Sequence, residues 1–181
     1  MAETERDSSG ASTLFACAER LQATRLMVLC IRPDPAPELI EALAAPTVAH
    51  GLVLDDSPEH AAAVNALLTA RAVAHVDTLC ADLFATHSYE GRVPADVIVL
   101  GSRLIAREET PLRMLIEGLR KLCSRDGLVM WPLEALTPER RTLLQRLLDR
   151  AGFESIDPEP GATWQCARHL GVTGRLEGPR L

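Results

Sequence analysis

The stretch RLMVLCIRPDPAPELI, from Arg25 to Ile40, decides the fold, because a short apolar run breaks at a charged, proline-studded turn and resumes as a helix. This is the pattern of strand, loop and helix. In an open α/β sheet the loop after the first strand faces the crevice at the strands' carboxyl ends, where ligands bind. Here that loop is Arg32, Pro33, Asp34, Pro35, Ala36 and Pro37, with no glycine. Its three prolines have no backbone N–H to offer a ligand.

The same alternation continues outward. Leu26 to Ile31 is apolar throughout, as expected of a strand covered on both faces by helices. A helix is expected from Pro35 or Pro37 to Ala44. His50 to Leu54 forms a second strand that ends on Asp55 and Asp56. Ser57 as cap, Pro58 at the first helical position and Glu59 in the first turn then start a helix that runs through Ala70. Ala74 to Cys80 is the third strand, followed by Ala81, Asp82 and Leu83. The connection THSYEGRVP has no periodicity, and Ala95 to Leu100 is a fourth strand.

Thr110-Pro111 opens a helix whose Leu112, Leu115, Ile116, Leu119 and Leu122 recur at helical spacing. The turn SRDG precedes a fifth strand, Leu128 to Trp131. Thr137-Pro138-Glu139 repeats the cap, proline and acid arrangement, and Gly152 stops that helix. Phe153 to Ile156 and Ala162 to His169 are joined by DPEPG, too short for a crossover, so they form a hairpin. The expected architecture is α/β: a single three-layer αβα domain over 14–170, with a doubly wound, mostly parallel seven-stranded sheet and a C-terminal antiparallel hairpin. Residues 1–13 are expected to be a disordered tail, Leu14 to Gln22 an amphipathic helix on the sheet, and 171–181 an irregular tail.

Composition narrows the function classes. The chain has 181 residues and a formal charge of −6 with no basic cluster, which argues against a nucleic-acid footprint. No apolar run approaches the ~20 residues of a membrane span, and the acidic, polar beginning is unlike a secretory signal, so a cytoplasmic protein is expected. The five cysteines, Cys17, Cys30, Cys80, Cys123 and Cys166, make no C-x-x-C pair and read as reduced small hydrophobes. His60, His75 and His169 lack metal-ligand spacing, and no metal is expected. His87, with Tyr89 and Glu90, reads either as a solvated loop or as a reach to the mouth of the crevice.

The segments LVLDDSPE, CADLF, ADVIVLGSRL and PERRTLLQRLLDRAGFESI, in this order and spacing, resemble the class I S-adenosylmethionine-dependent methyltransferases from about Arg25 to His169. The resemblance implies S-adenosylmethionine as cofactor. It puts Asp55 on the ribose hydroxyls, since both oxygens of a carboxylate accept. It also puts Asp82 on the adenine amino group, Leu83 against the ring, and Gly101 and Ser102 beside the cofactor. Asp55 and Asp56 read equally as a structural acid pair before a helix.

The sequence departs from that family at the first turn. The positions of its glycines are Cys30, Arg32 and Asp34, where each Cβ takes space and restricts positive φ. Arg32 is the residue there that could hold the cofactor carboxylate by a charge-assisted hydrogen bond. Beyond the fourth strand, Leu104, Ile105, Ala106 and Arg107 stand where the closest-looking relatives have a histidine base, so no catalytic residue is assigned. Arg103 and Arg107 read as a solvated face or as receivers of an anionic substrate.

Two functions follow from these features. One is a methyltransferase that acts on a small molecule in the crevice above Asp55, Asp82 and Ser102. The other is a non-catalytic relative in which the proline loop closes the cofactor site and a protein partner or a homodimer replaces chemistry. An unrelated nucleotide-binding Rossmann domain is disfavoured by the missing glycine turn.

Overall fold

The computed structural model describes residues 24–29, 37–89, 94–133, 136–158 and 162–171. The expected N-terminal tail and helix, residues 30–36 of the proline turn, and residues 172–181 lie outside them. The described strands are β1 (Arg25–Leu29), β2 (His50–Asp55), β3 (Val76–Cys80), β4 (Ala95–Leu100), β5 (Cys123–Pro132), β6 (Phe153–Ile156) and β7 (Trp164–His169). The helices are α1 (Pro37–Leu43), α2 (Pro58–Ala70), α3 (Ser102–Ile105), α4 (Glu109–Leu122) and α5 (Pro138–Arg150), with a 3-10 turn at Thr86–Ser88.

The sheet order is β3-β2-β1-β4-β5-β7-β6. Its first five strands run parallel, and β7 lies antiparallel between β5 and β6. The expected seven-stranded, doubly wound sheet with a terminal hairpin is therefore observed. The chain winds from β1 through β2 to β3 on one side, then returns to place β4 on the other side of β1. In open α/β sheets such a reversal marks the place, at the carboxyl ends of the strands on either side of it, where ligands bind.

Strand alternation sorts the core into two layers. On one face Leu26, Val28 and Val53 pack with Ile40, Leu43, Val64 and Leu68 of α1 and α2. On the other, Met27, Leu29 and Leu54 pack with the α4 stripe, Trp131, and Leu144 and Leu148 of α5. The α4 stripe is almost fully buried, each member at 1% exposure or less. Each such side chain contributes roughly 1.5–3 kcal/mol of burial, so this stripe anchors the layer beneath β4 and β5.

The helix starts follow local chemistry. The Ser57 side chain accepts from the His60 N–H, and the Thr137 side chain from the Arg140 N–H, each with proline in the first turn. Gly152 sits at φ +84°, the left-handed region that ends a helix cheaply only with glycine.

Several details differ from the sequence expectation, among them the last strand, which begins at Trp164 rather than Ala162. The third strand begins at Val76 rather than Ala74. The central helix begins at Glu109, with no side-chain cap at Glu108, so Thr110 lies inside its first turn instead of capping it. The SRDG segment is not a turn before the fifth strand but a bulge within it. Ala95 pairs with Cys123 and Val97 with Leu128, so two steps along β4 face five along β5. Asp126 takes φ +64°, which absorbs the extra length. Finally, α3 occupies a stretch that had no assigned structure, because four residues carry too little periodicity to register.

Candidate functional site at the strand tips

Asp55 ends β2 and is 1% exposed. Its Oδ1 accepts the Ser57 N–H at 2.9 Å, and its Oδ2 lies 2.7 Å from His60 Nδ1. An ionised carboxylate can only accept, so Nδ1 carries the proton and donates. The Ser57 hydroxyl in turn accepts the His60 backbone N–H at 3.3 Å. Asp55, Ser57 and His60 thus close a ring of hydrogen bonds over the first turn of α2. His60 Nε2 is buried and has no hydrogen-bond partner among the described residues. Spacing alone missed this pairing. A histidine five residues after an acid does not sit on the acid's strand face or helix face, and only the turn between β2 and α2 brings them together.

Asp82 follows β3. The Ala81 N–H donates to the Asp55 carbonyl at 2.9 Å, so the chain beyond β3 is stitched to the tip of β2. The structure therefore brings Asp55 and Asp82 onto neighbouring strand tips but presents them differently. The Asp82 carboxylate is exposed, and its Oδ1 accepts the Phe84 N–H at 3.0 Å. Leu83 is 1% exposed and packs in the core layer with Leu29, Leu54 and Leu104. The Tyr89 hydroxyl donates to the Leu83 carbonyl at 2.7 Å and fixes this loop from below. Tyr89 is itself buried, not at the crevice mouth, whereas His87 is exposed. Burial, then the neighbouring Asp82 charge, pushes the Tyr89 phenol well above its ordinary range.

On the other side of β1, the Gly101 N–H donates to the Leu29 carbonyl at 2.8 Å. Half-buried Ser102 opens α3, whose end is held by Arg140 Nε donating to the Ile105 carbonyl at 2.8 Å. Just beyond, the Arg107 guanidinium lies 3.8 Å from Asp56 Oδ2. Asp56 follows β2 and Arg107 follows α3, so this ion pair spans the tip of β1. Both partners are substantially exposed, and such a pair is worth at most about 1 kcal/mol. Arg32, the residue expected to hold the cofactor carboxylate, lies outside the described residues, as do Cys30 and Asp34.

Two cavities, of about 400 and 290 Å³, open at the opposite, amino ends of the strands, around Arg25, His50 and His75 and around Asp96 and Ser124. Among the described residues no group of three or more acidic, histidine or cysteine side chains could hold a metal ion, and no helix is long and apolar enough to cross a membrane.

No protein-family model matches the sequence, and no curated protein is similar to it. Solved structures are similar in shape. An S-adenosylmethionine-dependent methyltransferase from Clostridium acetobutylicum superposes with a TM-score of 0.68 at 10% identity, covering 93% of each chain. The fold is that of a class I methyltransferase. The methyltransferase NodS from Bradyrhizobium japonicum, in complex with S-adenosyl-L-homocysteine, gives a TM-score of 0.62 at 12% identity, again over 93% of each chain. An O-methyltransferase family protein from Burkholderia thailandensis gives 0.67 at 14% identity over 91% of this chain. This chain spans only 55% of that last one.

Within the methyltransferase fold, the residue types at the tips fit a nucleoside. An acid at β2 suits a ribose diol, and an exposed acid after β3 suits an adenine amino group. The fit has a cost at Asp55, which is buried and already has a donor on each oxygen.

Proposed function

We propose that the chain binds S-adenosylmethionine along the carboxyl edge of β2, β1 and β4 and transfers its methyl group to a small molecule. The observation that carries this reading is the pair of acids on adjoining strand tips, tied by the Ala81 N–H to the Asp55 carbonyl, beside the topological switch point. S-adenosylmethionine supplies an activated methyl group when bound. Asp55 and Asp82 would hold the nucleoside, and Gly101 and Ser102 would border it. With no base assigned, the acceptor reacts by positioning and by exclusion of water. The formal charge of −6 favours a small acceptor over nucleic acid.

Calorimetric titration with S-adenosylmethionine and its demethylated product tests this directly. Saturating ligand should raise the melting temperature, because it binds the native state alone. Asp55→Ala should abolish that rise while leaving the protein folded. Heat of binding that survives Asp55→Ala unchanged would refute the placement.

A second reading has its own observation. The internal ring of Asp55, Ser57 and His60 favours a non-catalytic module that works through a partner protein or a second copy. It predicts no thermal shift at millimolar cofactor, and association detectable by light scattering.

A further inference from the structure

We infer that His60 is a lock on the ribose acid: it holds the Asp55 carboxylate in a buried, internally satisfied state that a nucleoside must break. The inference rests on the cofactor reading above and adds to it a residue that sets affinity.

The geometry is specific. Asp55 Oδ2 to His60 Nδ1, at 2.7 Å, is in the range of charge-assisted contacts, which are roughly twice as strong as neutral ones. Ser57 occupies Oδ1 at 2.9 Å. A ribose diol recognises a carboxylate by donating to it, so its hydroxyls compete with donors already in place. The carboxylate is also 1% exposed, so it cannot meet a ligand in its present setting. Among the described residues His60 gains nothing comparable elsewhere, since its buried Nε2 has no partner there. Its one polar side-chain contact among the described residues is the one to Asp55. The imidazole is 15% exposed, which shields the contact from water.

This arrangement sets up a thermodynamic cycle. Removing the imidazole takes the 2.7 Å donor away from a buried carboxylate, which costs the free protein more than the complex, because ribose hydroxyls replace what was lost. Loss of His60 should therefore tighten nucleoside binding even as it loosens the empty protein.

The test is titration of S-adenosylhomocysteine into the full chain and into His60→Ala and His60→Asn, with circular dichroism to confirm native structure. Asparagine carries an amide donor near the position of Nδ1 and should behave like the wild type. His60→Ala should bind about tenfold more tightly, the equivalent of one hydrogen bond to a charged acceptor. In the wild type, the imidazole nitrogen resonances of His60 should move on saturation as the contact to Asp55 breaks, a readout that does not depend on a variant folding. Wild-type binding as tight as that of a folded His60→Ala, or bound-state resonances unmoved, overturns the lock and leaves the cofactor reading standing. Absence of binding in all three proteins overturns both.

Discussion

Replacing Asp96 with alanine should loosen the amino end of β1. Its Oδ2 accepts the backbone N–H groups of Thr24 and Arg25, each at 3.0 Å, and its Oδ1 accepts from the Ser124 hydroxyl at 3.1 Å and the Arg25 guanidinium at 3.3 Å. One carboxylate on β4 thus clamps the start of β1 to the bulge in β5. Hydrogen bonds to a charged acceptor contribute about 1.5–3 kcal/mol each. The two backbone donors set the scale, and the exposed Arg25 contact adds little. Because Thr24 is exposed and its N–H can find water, a loss of about 2–4 kcal/mol is expected, not the full sum.

The pH dependence of the same group has a definite sign. Burial alone would raise the Asp96 carboxyl, but the N–H groups of Thr24 and Arg25, with Ser124 and the Arg25 side chain, outweigh it and hold it below the usual carboxylate range. A group lowered on folding stabilises above its unfolded value and loses that contribution as pH falls through the folded one. The contribution is therefore complete at neutral pH, begins to decline near about pH 4 and is lost as pH falls through the lower folded value. Urea unfolding of the wild type, Asp96→Ala and Asp96→Asn at pH 7 and across the acid limb measures both effects. Equal midpoints for wild type and Asp96→Ala at neutral pH, or identical acid limbs for wild type and Asp96→Asn, would refute this account of the clamp.

The chain's single tyrosine makes Tyr89 a clean reporter. Its phenol is raised on folding, so stability is whole below about pH 10 and falls above it as the unfolded chain ionises. Ultraviolet difference spectra should show no tyrosinate in the native protein until unfolding, and Tyr89→Phe should cost about 1–2 kcal/mol and flatten the alkaline limb. Thiol labelling should separate the cysteines. Cys80, exposed at the tip of β3, alkylates before Cys123, whose thiol is pushed up to about 12 by burial and then by the Asp96 charge. Because Cys80 is the register partner of Asp55, bound S-adenosylhomocysteine should slow its alkylation, as read by mass spectrometry of the labelled peptides.

Periodicity and punctuation in the sequence determined the order and kind of the major elements. Apolar runs of strand length, caps at Ser57 and Thr137, the leucine stripe of α4 and the stop at Gly152 are local signals, and local signals survive without the rest of the molecule. They also brought Asp55 and Asp82 to strand ends, because a residue just past an apolar run must lie at the tip of a strand. Tertiary structure alone decided what those acids touch. His60 meets Asp55, and Arg107 meets Asp56 across β1, through turns and crossovers whose paths no short window encodes. The SRDG bulge likewise follows from pairing to β4, a partner far away in sequence. Burial settled the rest: Leu83 and Tyr89 belong to a loop by composition, yet both are buried in the core layer that strands and helices build on that face of the sheet.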